Sequence, residues 1–229
     1  MNLYCHDKLA ILSAQKAQGM FHHKIPLLLL LIFVSQVYFW GQKSSPPFHG
    51  ELLFVGTKIF PNDSTKEEML IYAKDSLVKV VTFSSNFGKQ ELLKHLGVQK
   101  SYLMLSTTKG NFAVKTDYRS QLDSTYTFQK RFGSKKILGK RAKRAVVKFN
   151  NLEKSFDFYY YKNIPANYGS AFTNFPGLVV DYHLPTDQGL FHFQLSELRK
   201  FDPPLTLFML PEGYRRISLD DFLKEMQSP

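Results

Sequence analysis

Residues able to do chemistry concentrate in two places in this chain. The first is the pair of alternating stretches 178–184 and 191–195, which carry Asp181, His183, His192 and Gln194 among their polar residues. Two imidazoles set opposite each other could share a metal ion, since a neutral ring nitrogen is a good zinc ligand. Zinc sites need three or four ligands, and no His-x-x-x-His or Cys pair supplies the rest, so ordinary exposed polar residues are the plainer reading of His183 and His192. The second place holds Lys130, Arg131, Lys135, Lys136, Lys140, Arg141, Lys143 and Arg144: eight cations within fifteen residues and no acid among them. Near an anionic membrane each exposed cation adds ~1 kcal/mol of attraction, less in salt, so the run suits docking to anionic lipid or to a partner. It equally suits a hairpin edge kept basic to discourage strand pairing between molecules.

Catalytic signatures are missing from the sequence. It has no Gly-x-Ser-x-Gly elbow and no phosphate-cradling glycine loop. The single cysteine, Cys5, and the single tryptophan, Trp40, both precede residue 42, and His49, His95, His183 and His192 are not arranged to select a serine. The expectation is a non-catalytic protein with no implied cofactor, a metal-dependent hydrolase using His183 and His192 being the third alternative.

The element that must position the histidines is a hairpin. Apolar residues recur every second position at Leu178, Val180, Tyr182 and Leu184, and again at Phe191, Phe193 and Leu195, the period of a half-buried strand. Sharing one buried face fixes the register, with Leu184 opposite Phe191, Tyr182 opposite Phe193, His183 opposite His192, and residues 185–190 as the loop. Gly177, following Pro176, is expected at a sharp corner with no room for a side chain, and a positive φ there would make alanine costly. Val180, Tyr182, Leu184, Phe191 and Phe193 then line the concave side of a sheet and are the expected ligand-binding residues for a hydrophobic small molecule or acyl chain. The alternative is collapse, in which the chain's own Phe and Tyr fill the curve and the protein serves as a scaffold in an envelope complex.

Elsewhere the pattern is also of strands. Residues 51–60, 67–74, 77–83, 102–106, 111–116, 126–132, 142–149 and 155–161 alternate and are separated by polar turns such as Lys74-Asp75-Ser76 and Thr108-Lys109-Gly110-Asn111, which predicts an antiparallel meander with neighbours pairing in order. Leu92, Leu93 and Leu96 between Gly88 and Gly97 have the spacing of one helical face and predict a short helix. A second helix is expected at the C-terminus, where Ser218 can cap, Asp221 sits three residues on, and Leu219, Phe222, Leu223 and Met226 form a stripe. With 34 aromatic residues among 229, 21 of them Phe, the balance favours sheet. The predicted fold class is mainly β: one curved antiparallel sheet in a single domain over residues 42–229, with short helices.

Residues 1–41 read as an export signal. Lys24 precedes the apolar run 25–34, and Gly41 offers a small residue for cleavage. Met20 is an alternative start. The stretch 25–40 is interrupted by Ser35 and Gln36 and falls short of the ~20 residues that span a bilayer. Removing 1–41 reduces 30 basic and 19 acidic residues to 27 and 18, a charge of about +9. The expectation is a basic, soluble protein outside the cytoplasm, meeting anionic surfaces but not nucleic acid.

Four landmarks in order over residues 67–217 carry a resemblance. They are Lys136-Ile-Leu-Gly-Lys-Arg-Ala-Lys-Arg-Ala145, Tyr161-Lys-Asn-Ile-Pro165, Asn174-Phe-Pro-Gly-Leu-Val179 and Leu207-Phe-Met-Leu-Pro-Glu-Gly-Tyr214. In these the chain resembles exported envelope proteins of the GLPGLI family and their LolA-like relatives. It departs from their pattern at Lys140, Ala142, Asn174 and Phe175, where Tyr, Cys, Gly and Leu are expected. The resemblance implies an incomplete barrel of antiparallel strands with a helix near its mouth, of the kind that holds lipoprotein acyl chains. It carries over no catalytic residue.

Overall fold

The computed structural model describes residues 47–59, 66–84, 88–117, 121–169, 171–186 and 188–227; the signal expected over 1–41 lies outside them. Alternation of apolar and polar residues builds six strands in the first half: β1 (Gly50–Lys58), β2 (Lys66–Lys74), β3 (Leu77–Ser84), β4 (Gly88–His95), β5 (Lys100–Thr107) and β6 (Gly110–Thr116). The second half adds β7 (Tyr126–Ile137), β8 (Lys140–Phe149), β9 (Ser155–Tyr161), β10 (Leu178–Thr186), β11 (Gly189–Arg199) and the short β12 (Tyr214–Ile217), followed by helix α1 (Leu219–Gln227). All twelve strands lie in one open, curved sheet ordered β12-β6-β5-β4-β3-β2-β1-β11-β10-β9-β8-β7. The protein is mainly β.

Pairing in order holds within each half and stops between β6 and β7. The two antiparallel meanders meet instead through β1 and β11, with Phe54 opposite Leu195 and Gly56 opposite Phe193. Gly56 is required there, because a Cβ would come within 2.5 Å of the Phe193 ring. Strand β12 then returns to pair with β6 in parallel.

The helix expected over residues 88–97 is a strand. β4 pairs along its whole length with β3, from Leu77 opposite His95 to Ser84 opposite Gly88, and also with β5. Leu92 and Leu93 therefore point to opposite faces, Leu92 against the core and Leu93 beneath the other surface. A local helical spacing lost because β3 and β5 would each otherwise keep an unpaired row of backbone groups inside the sheet.

The β10–β11 hairpin has the expected register, but its ladder runs on to Thr186 opposite Gly189, so the loop is shorter than 185–190. Thr186 Oγ1 donates to the Gly189 carbonyl at 3.0 Å and accepts from the Gln188 amide at 3.2 Å. Thr107 does the same with Gly110 and Lys109. Two Thr-x-x-Gly segments thus close their hairpins by one device, each with glycine at positive φ.

One sheet face carries the core, with Leu52, Ile71, Ala73, Val78, Ala145, Phe149, Phe158, Phe172 and Val180 all at 0% exposure. Its cover is neither a second sheet nor the C-terminal helix but the connection from β9 to β10, residues 162–177. That segment places Ile164, Tyr168, Phe172 and Phe175 in the cluster. Buried Lys94 fastens it through the carbonyls of Asn167 (3.3 Å) and Gly169 (2.9 Å). Tyr168 Oη donates to the Asp75 carbonyl at 2.5 Å and accepts from the Phe48 amide at 3.1 Å.

Helix α1 forms where expected. Ser218 Oγ accepts from the Asp221 amide at 3.1 Å, an N-cap. It packs by Phe222 edge-on against Phe112 of β6, ring centroids 5.3 Å apart. None of its residues is buried, and Leu219 and Leu223 are about half exposed, so it flanks the sheet rather than covering the core.

Candidate ligand groove

Strand alternation turns Leu77, Leu93, His95, Lys100 and Tyr102 onto the sheet face opposite the core, because Leu77 pairs with His95, His95 with Lys100, and Leu93 with Tyr102. Across this face runs the segment after β11, held down by Lys74, whose Nζ lies 2.8 Å from Asp202 and donates to the Pro203 carbonyl at 3.1 Å. A 3-10 turn at Leu205–Phe208 brings Phe208 and Leu210 over the strands. Between roof and sheet is a half-open groove of about 300 Å³ whose side chains include Leu77, Leu93, Val98, Tyr102, Phe208 and Leu210. That size is at the lower limit of small-molecule sites.

The charged side chains of the groove share one sign. His95, Lys100 and Arg216 line it and, among the described residues, no Asp or Glu does. Arg216 lies over the Tyr102 ring, 5.9 Å from its centroid, a cation–π placement that holds a guanidinium at the rim while leaving its N–H groups free to meet an anion. Glu91, two residues before Leu93 on the same face, is already paired with Lys79 at 2.8 Å and Lys89 at 2.5 Å. Lys94 also borders the groove, but alternation puts its side chain on the core face with Leu92, where its ammonium donates to the carbonyls of Asn167 and Gly169. Burial lowers its pKa to about 8 against the opposing pull of Asp123.

The five residues expected to line a cavity are brought together, but into packed protein. Val180 is 0% exposed, Tyr182 4%, Phe191 1% and Phe193 6%, while Leu184 packs partly buried against the same cluster. Tyr182 stacks on Phe193 (5.4 Å, 16°) and meets Phe54, Phe158 and Phe172. None of the described grooves is lined by these five. The reason is the 162–177 segment: Phe172 and Phe175 occupy the space a ligand would need. The sequence flagged Asn174-Phe-Pro-Gly as a corner without showing that it folds back over the sheet.

His183 and His192 do face each other, with rings stacked at 4.7 Å and 18°. Ring-nitrogen lone pairs lie in the ring planes, so two stacked imidazoles do not converge on a shared ion. His192 Nε2 is taken by Asp181 at 2.7 Å, and Lys135 Nζ holds the other carboxylate oxygen at 2.8 Å. Burial pushes the Asp181 carboxyl up, and the hydrogen bonds from His192 and Lys135 outweigh it and hold the group below the ordinary range. Burial, reinforced by His192, lowers the pKa of His183 to about 4; its Nδ1 is buried without a hydrogen-bond partner among the described residues. No group of three possible metal ligands occurs among the described residues.

The eight cations all lie on the β7–β8 hairpin, and β7 is the edge strand of the sheet. Two are neutralised, Lys135 by Asp181 and Arg144 by Asp157 at 2.8 Å.

No family model matches this chain. No curated protein matches it either. Among solved structures, PNGF-II in a C2 crystal form is similar at 14% identity and a TM-score of 0.47, over 77% of this chain and 32% of that one. PNGF-II in a P21 form gives 13% and 0.47 over the same shares. The chain thus spans about a third of the length of PNGF-II.

Proposed function

We propose that this protein is a non-catalytic binding module of the cell envelope whose ligand is a hydrophobic small molecule bearing an anionic group. The site is the groove between β3–β5 and the segment 203–212. The reading rests on one observation: a roofed, apolar groove with Lys100, Arg216 and His95 at its margin and, among the described residues, no acidic side chain in its lining. An apolar tail would lie against Leu77, Leu93, Phe208 and Leu210, and its head would meet Arg216 and Lys100. Export and kinship with GLPGLI-type or LolA-like proteins belong to the same proposal; among the described residues no helix is long and apolar enough to cross a membrane. The second reading, a scaffold for an envelope complex, is favoured by the core being filled by the chain's own aromatic residues.

Titration of the full chain with a fluorescent fatty acid, and with the corresponding alcohol, tests the groove. The acid is expected to bind saturably and about tenfold more tightly than the alcohol, the worth of one charge-assisted contact. Arg216→Gln is expected to remove that preference, and Phe208→Ser to weaken both ligands. Absence of saturable binding, or an acid preference untouched by Arg216→Gln, overturns the ligand reading and leaves the scaffold.

A further inference from the structure

The β7–β8 hairpin departs from an ordinary strand edge in two places, and both departures expose an apolar side chain among cations. The first is a bulge. Lys130 pairs with Ala145 and Ser134 with Lys143, so Arg131, Phe132 and Gly133 together oppose Arg144 alone. Phe132 is thereby lifted out of the ladder and is fully exposed, at 101%. Gly133 has φ +117°, a backbone that side chains avoid, which is what lets the chain swing out and return. The second departure is the turn. Ile137 pairs with Lys140, leaving Leu138 and Gly139 as a two-residue loop with φ of 47° and 73°, a type I′ geometry that favours Asn-Gly. Leucine stands at the first position instead, 45% exposed, in a left-handed conformation that costs a non-glycine residue on the order of 1 kcal/mol.

Around these two side chains are Lys130, Arg131, Lys136, Lys140, Arg141 and Lys143, none of which forms an ion pair among the described residues. Arg131 and Arg141 donate to neutral partners, Gln129 and Ser134, at 3.0 Å. A basic edge serving only to prevent strand pairing gains nothing from an exposed Phe or from a strained Leu at the tip. The bulge also breaks the regular ladder edge that an added partner strand would need. Six uncompensated cations flanking two protruding apolar groups fit a surface that is anionic outside and apolar just beneath, as a bilayer with acidic headgroups is.

We infer that the β7–β8 hairpin docks on an anionic lipid bilayer. Phe132 and Leu138 enter the headgroup–acyl boundary while the flanking lysines and arginines lie among the phosphates. Lys135 is held apart from this set by its ion pair with Asp181 of β10 at 2.8 Å. The site is separate from the groove, and neither proposal depends on the other.

Co-sedimentation of the full chain with phosphatidylcholine vesicles, and with vesicles enriched in phosphatidylglycerol, provides the test. Every variant keeps the same residues 1–46, so differences between variants read the hairpin alone. The chain is expected to prefer the acidic vesicles, and added salt to reduce the preference. Phe132→Ser with Leu138→Asn is expected to lower affinity for acidic vesicles at least tenfold at an unchanged unfolding midpoint, since Asn suits the turn and Phe132 touches nothing. Lys136→Gln with Lys140→Gln is expected to lose about tenfold and to flatten the salt dependence. Equal binding to both vesicle types overturns docking on anionic lipid. Wild-type affinity in the Phe132/Leu138 variant overturns insertion, and strong binding to heparin without binding to acidic vesicles assigns the patch to a soluble polyanion.

Discussion

Phe172→Ala is the substitution that most directly asks whether the sheet is filled by its own chain. Phe172 is 0% exposed and meets five other rings: Tyr126 at 5.1 Å, Phe149 at 6.3 Å, Phe158 at 5.1 Å, Phe175 at 6.2 Å and Tyr182 at 5.3 Å. Truncating a buried Phe to Ala costs about 3–5 kcal/mol, and edge-to-face pairs contribute ~0.5–1.5 kcal/mol each beyond area. The site is closed on several sides by strands and cannot collapse easily, so a loss of about 4 kcal/mol is expected. At ~3 °C per kcal/mol for a domain of this size, that is a fall in Tm of about 12 °C. Urea denaturation, with the slope compared as well as the midpoint, measures it. Phe172 also has φ of 59°, a left-handed strain that Ala keeps and Gly relieves. Phe172→Gly should therefore match the Ala variant or exceed it by up to ~1 kcal/mol, although glycine is ordinarily the worse replacement. Losses below about 1.5 kcal/mol in both variants would mean that residues 162–177 lie loosely over an open cavity, and the filled-core argument would fail.

Gly177→Ala is expected to cost well above the ~1 kcal/mol of a tolerated glycine change, because the new Cβ would stand 2.1 Å from the Tyr161 carbonyl oxygen, against backbone that cannot yield cheaply. An unchanged denaturation midpoint would show that the corner adjusts. His183 gives a pH signature. Its folded pKa is depressed to about 4, so the unfolded chain takes up a proton below about pH 6.5 that the folded chain refuses. Its contribution is complete above that pH and declines as pH falls toward 4. The stability difference between wild type and His183→Gln should shrink or reverse over that window; a difference constant from pH 7 to 4 refutes the burial of His183 as its cause.

Much of the fold could be read from the residues themselves, because a strand's period of two is a local property. The Leu178–Leu184 and Phe191–Leu195 alternation predicts both the hairpin and the register that sets His183 against His192. Ser218 and Asp221 likewise announce the C-terminal helix within a span of four residues. Tertiary structure decided what depends on distant partners. Leu92 and Leu93 spell a helix until β3 and β5 both require β4 between them. Gly177 reads as a turn glycine, yet it is glycine because the Tyr161 backbone passes against it, not because φ is positive. The apolar face of the hairpin is evident in the sequence, but its occupant is not. Whether Val180, Tyr182, Phe191 and Phe193 meet a ligand or the chain's own Phe172 and Phe175 depends on where a loop folds back, and burial enforces a pattern along a strand without naming what does the burying.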